Sequence, residues 1–474
     1  MLLNDLNAWV PVGILIIGFG AMPLAVAQEC DPLTGVQLDR AAELVDDSFG
    51  FAVAIEGDFL AIGAPDDDEF GENAGVVHVY RFDGVEWNEY SKLSGIDTVA
   101  GDFFGVSVSI SGDRLAIGAS GDDDFGNRSG SAYVFEFDGD GWGEVAKLNA
   151  SDAGATDFFG GGVLISGDRV IVGADRNDEN GSNSGAAYIF EYTGSQWEQD
   201  AKLMASDGVD YGEFGMSVSV SGDCAVVGAT GDPVNGVASG SSYVFRFDGN
   251  EWIEESKLIP VDGAAADFFG EVVSVDGDRA IVGARWDDDH GSNSGSAYVF
   301  EYAGGQWVQH GKLTASDAES GDNFGFSAVI SGDFAFVSAL QKDDLNPNTI
   351  KGYLFAYDGI GWVEQSTVLG IGAGQSGNRS NAVAMSGDTA LIGSVNRTQA
   401  GQSTDIGSAH VYDISCFLSC VADMNSDGEL DFFDVSAFLT AFGDGDPVAD
   451  FTGDGSFDFF DVSAFLAAFA AGCP

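Results

Sequence analysis

A short alternation of hydrophobic and polar residues recurs along most of the chain. In FGVSVSIS, residues 104–111, every second residue is apolar, which is the period of a half-buried β-strand. Gly112-Asp113 then predicts a tight turn, and RLAIGA at 114–119 is an apolar run suited to a strand covered on both faces. The aromatic and β-branched run SAYVFEF and the run WGEVAKL supply two more strands. The pattern predicts four antiparallel strands per unit, without a helix.

The unit repeats with a constant step of 55 residues. The Phe-Gly pair occurs six times at this step, at Phe49-Gly50, Phe104-Gly105, Phe159-Gly160, Phe214-Gly215, Phe269-Gly270 and Phe324-Gly325. The seventh place holds Arg379-Ser380, but Asp388 keeps step with the Asp of the earlier turns. A tryptophan marks the fourth strand of six units, at Trp87, Trp142, Trp197, Trp252, Trp307 and Trp362. Seven four-stranded units of equal length predict a mainly β fold, a seven-bladed β-propeller.

The seventh unit lacks its fourth strand, because Phe417 stands where the tryptophan belongs. The beginning of the chain supplies a candidate for it. The segment 35–50 lies one step of 55 before the segment 90–105, with Leu38 in register with Leu93. We therefore expect an N-terminal strand around Leu38 to complete the last blade and to remove its exposed edge.

The composition and the N-terminal sequence limit the possible binding partners and the cellular location. The chain carries 76 acidic and 18 basic residues, a formal net charge of −58, which disfavours nucleic acid and anionic membranes as partners and favours divalent cations. Residues 1–27 contain an apolar run ending in Ala25-Val26-Ala27, which predicts a secretory signal peptide cleaved before Gln28. Asp5 and the lack of Lys or Arg in the first ten residues leave a misplaced start or a membrane-anchored N-terminus open. The protein is expected to be secreted or associated with the cell surface.

The Phe-Gly pairs and AIGAP at 61–65, repeated as AIGAS, IVGAD, VVGAT and IVGAR, resemble the FG-GAP repeats of integrin-α-like seven-bladed propellers over about residues 34–415. The resemblance implies the fold but says little of function, because propellers host many activities. Some blades of that family carry calcium loops after the first strand, but here that hairpin is only SGD or EGD, too short to surround the ion. Acidic clusters at 66–68, 122–124 and 287–289 lie one loop later. They are either loose calcium sites or solvated loops.

Other repeated side chains are interpreted as structural. The Lys of each Lys-Leu pair is expected to pack its stem and pair its charge, at Lys92, Lys147, Lys202, Lys257 and Lys312. The tryptophan series favours blade packing over a sugar platform. Trp286 stands outside that series and is the best single candidate for stacking on a ligand. The four histidines lack metal-ligand spacing and nothing favours a Ser-His-Asp site, so we predict no catalytic residue.

The pattern changes after Cys420. DMNSDGELDFFDVSAFLTAF begins at 423, and a second copy, DFTGDGSFDFFDVSAFLAAF, begins 27 residues later. Each copy opens with twelve residues that carry oxygen ligands at the spacing of a calcium loop, and the apolar residues that follow have helical spacing. The predicted calcium ligands are Asp423, Asn425, Asp427, Glu429, Asp431 and Asp434 in the first loop, and Asp450, Thr452, Asp454, Ser456, Asp458 and Asp461 in the second. Two Ca²⁺ ions are expected, since the converging carboxylates repel one another without a cation.

Two loop–helix units with Asp at position 12 resemble a type I dockerin of the form ending in Gly-Cys, over residues 421–474. The resemblance implies that calcium folds the module and that the module binds a cohesin on another protein. Positions 10 and 11 of the loops, which help to choose the partner in that family, are Phe432-Phe433 and Phe459-Phe460 instead of small hydroxyl residues. These four phenylalanines are candidate partner contacts, or they fill the core of a small module. An unrecognised partner and self-docking stay open.

Five cysteines fit an exported protein. Their spacing suggests a Cys420–Cys473 bond that brackets the calcium module and a Cys30–Cys416 bond that latches the ring. Cys224 replaces the Arg of the Gly-Asp-Arg turn and is interpreted as a buried free thiol.

The domain organisation predicted is a signal peptide at 1–27, a propeller at 28–418 and a helical, calcium-binding, dockerin-like module at 419–474. The leading functional hypothesis is a secreted, non-catalytic binding or scaffold protein. Its propeller loops would engage a carbohydrate or protein ligand, and its last module would tether it to a cohesin-like partner. The alternatives are an extracellular polysaccharide-degrading enzyme, since dockerins are often attached to such enzymes, and a purely structural cell-surface component.

Overall fold

The computed structural model describes residues 35–39, 47–342, 347–373, 383–395, 407–414, 424, 432–449, 451, 457 and 459–471. The predicted signal peptide at 1–27 lies outside the described residues. Within the described part, the strands form seven antiparallel sheets of four strands each, which confirms the mainly β fold and the seven blades.

Each blade is a four-stranded sheet, and in blades 1–6 the strands follow the chain from the inner to the outer edge. Blade 1 contains β2 (Val53–Glu56), β3 (Phe59–Ala64), β4 (Val76–Phe82) and β5 (Trp87–Leu93). Blade 2 contains β6 (Phe104–Ser111), β7 (Arg114–Ala119), β8 (Ser131–Phe137) and β9 (Trp142–Leu148). Blade 3 contains β10 (Val163–Ser166), β11 (Arg169–Ala174), β12 (Ala186–Tyr192) and β13 (Trp197–Leu203). Blade 4 contains β14 (Phe214–Ser221), β15 (Cys224–Ala229), β16 (Ser241–Phe247) and β17 (Trp252–Leu258).

The remaining three blades keep this order, and the last one uses the first strand of the chain. Blade 5 contains β18 (Val273–Asp276), β19 (Arg279–Ala284), β20 (Ser296–Ala303) and β21 (Gln306–Leu313). Blade 6 contains β22 (Ser327–Ser331), β23 (Phe334–Lys342), β24 (Pro347–Tyr357) and β25 (Trp362–Ala373). Blade 7 contains β26 (Val383–Ser386), β27 (Thr389–Ser394), β28 (Ser408–Asp413) and, as its outer strand, β1 (Val36–Asp39).

The ring closes as the sequence predicted. β1 pairs antiparallel with β28, and Leu38 lies opposite Ala409. Each inner strand contacts the inner strands of both neighbouring blades, and β26 of blade 7 contacts β2 of blade 1. The propeller is therefore a closed ring of seven sheets.

Close approach between blades explains why two glycines recur in each of blades 1–5. Gly105, of the Phe-Gly pair, has φ of +89°, a left-handed conformation that glycine adopts without strain. Its carbonyl oxygen lies 2.0 Å from the place where a Cβ on Gly63 of the previous blade would be. A side chain at Gly63 would therefore separate blades 1 and 2.

The antiparallel order gives the ring two different faces. The lower face carries the two-residue turns between inner and second strands. The upper face carries the loops between second and third strands and the loops that connect one blade to the next. Residues from these upper loops form the candidate site described below.

Arginine and aromatic residues join adjacent blades on the lower face. Arg114 Nη1 lies 2.5 Å from Asp168 of the next blade, and its guanidinium lies 4.6 Å from the ring centroid of Tyr192 and 5.5 Å from that of Trp197. The blade tryptophans pack on aromatic residues of their own third strands, as Trp197 does on Tyr192. The interpretation of this tryptophan series as packing is confirmed.

Two blades replace this arginine and carry another one directly opposite. In blade 4 Cys224 pairs in register with Arg246, and in blade 1 Phe59 pairs with Arg81. In blade 2, by contrast, Arg114 pairs with Glu136. The guanidinium therefore moves from the second strand to the third, and blade 4 leaves a buried free thiol at Cys224, as predicted.

Two helices lie among the described residues that follow the propeller in the chain. Helix α1 spans Phe432–Asp444, a single 3₁₀ turn spans Pro447–Ala449, and helix α2 spans Phe459–Ala471. Phe438 and Phe465 stack with ring centroids 4.0 Å apart and are both 1% exposed. No helix of the described residues is long and apolar enough to cross a membrane.

Candidate functional site

The repeated lysines form ion pairs with the acidic loops of the upper face. In blade 2, Lys147 Nζ lies 2.7 Å from Asp97, 2.8 Å from Asp122 and 2.7 Å from Asp124. Tyr133 donates its hydroxyl to Asp97 at 2.8 Å. Burial alone would lower the pKa of Lys147, but its hydrogen bonds to these carboxylates outweigh burial and raise the pKa. We call this group the lysine cage.

The lysine cage recurs with small changes in the neighbouring blades. Its ammonium groups are those of Lys92, Lys147, Lys202, Lys257 and Lys312, and in blade 6 Lys351 takes this role from the third strand. One Asp of each acidic cluster is buried, at equivalent places of the repeat: Asp67, Asp122 and Asp287. Among the described residues, no three Asp, Glu, His or Cys side chains are arranged to hold a metal ion. In these loops a lysine supplies the positive charge, so the expected charge pairing of the lysines is confirmed.

The residue before each Phe-Gly pair breaks the repeat on the upper face, near the axis. Its backbone conformation is constant and left-handed, with φ between 51° and 57°, but its identity varies: Ser48, Phe103, Phe158, Glu213, Phe268 and Asn323. A bulky residue in this conformation is uncommon and costs free energy. Three such phenylalanines at equivalent places mark these side chains as candidates for function instead of folding. We call this ring of positions, with the side chains packed on them, the rim.

Arginine and phenylalanine alternate on the rim between blades 2 and 3. The guanidinium carbon of Arg128 lies 5.9 Å from the ring centroid of Phe103 and 5.7 Å from that of Phe158. The guanidinium of Arg176 lies 4.7 Å from the same Phe158 ring. Both phenylalanines are partly exposed, and Arg128 is exposed. The result is a continuous cationic and aromatic surface on a strongly acidic protein.

A second aromatic cluster lies on the rim at blade 5. Trp286 packs edge-to-face on Phe268 at 4.5 Å between ring centroids. The guanidinium of Arg285 lies 5.4 Å from the rings of both Trp286 and Phe326, and its Nε lies 2.7 Å from a carboxylate oxygen of Glu271. Trp286 is half-buried, so one part of its ring is held by the protein and another part faces solvent. This geometry leaves Trp286 a candidate for stacking on a ligand.

The axis of the ring encloses a cavity of about 410 Å³ lined by the inner strands of all seven blades, and Glu271 contributes to its wall. Many serines of these strands bond to the next blade. Ser107, for example, donates to the carbonyl oxygen of Gly160 at 2.9 Å, and the amide of Ile165 donates to Ser109 at 3.1 Å. The serines therefore hold blades together and contribute few free groups to the cavity.

Burial raises the pKa of three carboxyl groups beneath the rim, those of Asp102, Asp157 and Asp267. Asp102 and Asp267 each directly precede a rim phenylalanine and are 3% and 5% exposed. Burial raises the pKa of each to about 6, and a nearby carboxylate of the acidic loop, Asp122 or Asp287, adds to the shift. Each carboxylate accepts a hydrogen bond from a backbone amide, that of Val99 at 2.7 Å in the case of Asp102. These groups carry protons at mildly acidic pH.

The structure describes only two of the predicted calcium ligands. Asp434 and Asp461, at position 12 of their loops, lie in the first turns of α1 and α2 and are both 0% exposed. The other predicted ligands lie outside the described residues: Asp423, Asn425, Asp427, Glu429, Asp431, Asp450, Thr452, Asp454, Ser456 and Asp458. Cys30, Cys416, Cys420 and Cys473 also lie outside them, so the disulfide pairing stays a prediction.

The four phenylalanines at positions 10 and 11 point to solvent. Phe432, Phe433, Phe459 and Phe460 are 76%, 65%, 75% and 66% exposed. The buried core of the segment that contains α1 and α2 is formed by Phe438, Phe465 and Ala449 instead. Leu439 and Leu466, which the helical spacing places in the apolar stripe, are 56% and 51% exposed, because two helices bury only a narrow stripe of each other.

Sequence reasoning missed Arg128 and Arg176. The signal was present, because Arg128 occupies the place of Asn73, Asn183 and Asn293 in other blades, and all four residues have left-handed backbones. Asn tolerates that conformation better than most residues do. An arginine in an asparagine position is the departure from the repeat that identifies this part of the rim.

Comparison with known proteins bears on the propeller. A family model described as FG-GAP repeat matches residues 43–80, 87–135, 142–190, 197–245, 252–300 and 307–355. No curated protein matches the chain. Propellers of this repeat suggest a binding or scaffold role. The matched segments cover more than half of the sequence and include strands of six blades, so the chain belongs to the FG-GAP repeat family.

Proposed function

We propose that this protein is an exported, non-catalytic binding or scaffold protein made of a propeller at 28–418 and a calcium-dependent, dockerin-like module at 419–474. The propeller engages its ligand through the rim. The module tethers the protein to a cohesin-like partner on another molecule, at the cell surface or outside the cell. The observation that carries the proposal is the exposure of Phe432, Phe433, Phe459 and Phe460.

Exposed aromatic pairs of this kind support a docking surface. Large apolar side chains are rarely left in water together unless a partner covers them. The two pairs occupy equivalent places at the starts of α1 and α2, at positions 10 and 11 of the predicted calcium loops. Two equivalent patches give a partner two equivalent docking surfaces.

Two buried carboxylates support calcium in the module. Burying an ionised carboxylate costs free energy unless a cation or hydrogen bonds compensate. Asp434 and Asp461 are fully buried where a calcium loop places its last ligand. Together with the oxygen ligands predicted in each loop, they fit a calcium ion, and bound calcium would fix the loops ahead of the helices.

Calcium stoichiometry tests the metal. Native mass spectrometry of the full chain at physiological ionic strength should show two bound Ca²⁺ ions, and Asp434→Asn and Asp461→Asn should each remove one. If the wild-type chain binds no calcium, the dockerin-like assignment is wrong.

Binding to a panel of cohesin domains tests the docking. We expect binding in calcium and none in chelator. Alanine at all four phenylalanines should abolish it, whereas Val85→Ala with Ile96→Ala, at propeller residues 87% and 90% exposed, should not. Binding that survives chelator or the four alanines would contradict the tether, and release of products from polysaccharides by the purified chain would contradict the non-catalytic role.

A further inference from the structure

We propose that the rim between blades 2 and 3 binds a uronic acid residue of a short oligosaccharide, with Arg128 as the residue that pairs with its carboxylate. The inference rests on the proposed function, since it takes the rim as the ligand surface, and it names the class of ligand.

The backbone at Arg128 indicates that its side chain serves something other than folding. Arg128 has φ of +53°, and the equivalent residues Asn73, Asn183 and Asn293 have φ of 54°, 47° and 55°. Asparagine adopts this conformation at lower cost than arginine does. Blade 4 carries Ala238 at this place, with φ of 52°, so among blades 1–5 only blade 2 places a long charged side chain there. That side chain lies next to two phenylalanines, Phe103 and Phe158, with the same left-handed strain.

The charge of Arg128 is available to a ligand. Six of the arginines in the described residues lie within 4.0 Å of a carboxylate: Arg114, Arg169, Arg176, Arg246, Arg279 and Arg285. Among the same residues, Arg81 and Arg128 have no such partner. Arg81 stacks on three aromatic rings of the lower face. It lies opposite Phe59, which replaces the usual second-strand arginine, so the exchange of arginine between the two strands explains Arg81. Nothing in the repeat explains Arg128.

The chemistry of the surface selects a carboxylate attached to an apolar ring. A guanidinium pairs with a carboxylate through two parallel hydrogen bonds, and it does so while one of its faces lies on an aromatic ring. Phe103 and Phe158 lie within 6 Å of the guanidinium of Arg128, so the anionic group and the apolar face of the ligand must lie within one small rigid unit. A uronic acid has both, whereas an Asp or Glu residue of a peptide has the carboxylate alone.

The charge of the whole protein sets the size of the ligand. A net charge of −58 repels a polyanion at long range. A chain of consecutive uronic acids is therefore disfavoured, and a neutral oligosaccharide with a single uronic acid branch is favoured.

Calorimetric titration of the full chain tests the proposal. The probes are xylotriose carrying one glucuronic acid, neutral xylotriose, and a tripeptide containing one glutamate. We expect the acidic sugar to bind at least about tenfold more tightly than either of the other two, in keeping with one charge-assisted contact. Equal affinity for the acidic and neutral sugars, or tighter binding of the peptide, would overturn the proposal.

The chain itself supplies the variant and its control. Arg128→Asn introduces the residue that three other blades carry, so the thermal midpoint should be unchanged and the preference for the acidic sugar should vanish. Arg81→Glu introduces the residue found opposite the second-strand arginine in blades 2, 3 and 5, and the preference should remain. An undiminished preference in Arg128→Asn overturns the assignment. Because calcium binding and cohesin docking are measured on α1 and α2, the sugar test can fail without affecting the tether, and the reverse also holds.

Discussion

Leu38, in the first strand of the chain, lies directly opposite Ala409 in the last strand of the propeller. Its side chain is 6% exposed and belongs to the core that blades 7 and 1 share. The pairing leaves β28 without an open edge, where another chain could add a strand.

The first prediction concerns this closure. Leu38→Ala should lower the free energy of unfolding by about 2–5 kcal/mol, because it removes buried methyl groups and leaves a cavity in the core. Urea unfolding followed by tryptophan fluorescence measures the change. Val36→Ala in the same strand is the control, since Val36 is 53% exposed and its loss should cost less than about 0.5 kcal/mol. Equal effects of the two substitutions would mean that the burial of Leu38 does not stabilise the closed ring.

Much of the fold could be predicted because the repeats have equal length and their key residues recur at the same positions. A step of 55 residues without insertion fixes the number of blades, and the match of Leu38 with Leu93 fixes the closing strand. The local sequence pattern was a weaker guide to which residues of the helices are buried. Leu439 has the spacing of the apolar stripe but lies in solvent, because the spacing does not say how wide a face the partner covers.

The candidate site was less predictable, because its contacts join loops distant in sequence. Lys147 was expected to be paired, but its three partners come from two loops, at Asp97 and at Asp122 with Asp124. The stacking of Arg128 on two blades depends equally on how the loops approach each other. For Arg128, the sequence could have shown only that this residue departs from the asparagines of other blades.

The second prediction concerns the lysine cage. Lys147→Met should lower the free energy of unfolding at pH 7 by about 1–3 kcal/mol, because it leaves three carboxylates together without their cation. Water screens two of these carboxylates, Asp97 and Asp124, since they are about half exposed. Chemical denaturation of the variant and the wild type measures the difference. The penalty should shrink as the pH falls below about 4, where the carboxylates take up protons.

A matched control for the cage is Lys257→Met in blade 4, where the ammonium lies 2.7 Å from Asp207 and 2.6 Å from Asp232. With two carboxylates instead of three, the loss should be smaller than at Lys147. A penalty that is the same in both blades, or that does not change with pH, would show that packing of the lysine stem matters more than charge.

The third prediction uses the exchange seen in blade 4. Cys224→Arg alone should destabilise the protein, since it places a second guanidinium opposite Arg246. Arg246→Glu alone should also destabilise it, since Glu255 lies 3.1 Å from Arg246 and would face a like charge. The double variant recreates the Arg–Glu pair of blade 2 and should be more stable than the sum of the two losses predicts.

A double-mutant cycle by urea unfolding measures this coupling, and strict additivity would contradict the exchange. The native thiol offers a separate check. Burial raises the pKa of Cys224 to about 12, so it should not react with a thiol reagent at pH 8 until the protein unfolds.

The last prediction concerns pH. The pKa values of Asp102 and Asp267 are raised by burial to about 6 from an ordinary 3.8, so the folded protein binds more protons than the unfolded chain between about pH 4 and 6. The free energy of unfolding should therefore rise as the pH falls from 7 through this window. In the cages, hydrogen bonds from a lysine and a tyrosine outweigh burial and lower the pKa of carboxylates such as Asp97, so their contribution is lost only when the pH falls below 3.8.

The thermal midpoint at fixed ionic strength should accordingly be higher at pH 5 than at pH 8. Protonation of carboxylates elsewhere also makes the net charge of −58 less negative, and the weaker repulsion raises the thermal midpoint as well. The double variant Asp102→Asn with Asp267→Asn separates the two causes, because the amide oxygen still accepts the backbone hydrogen bond but does not titrate. It should flatten the pH dependence and raise the midpoint at pH 8, where the wild type keeps two buried charges. If the variant has the same slope as the wild type, Asp102 and Asp267 do not contribute to the pH dependence.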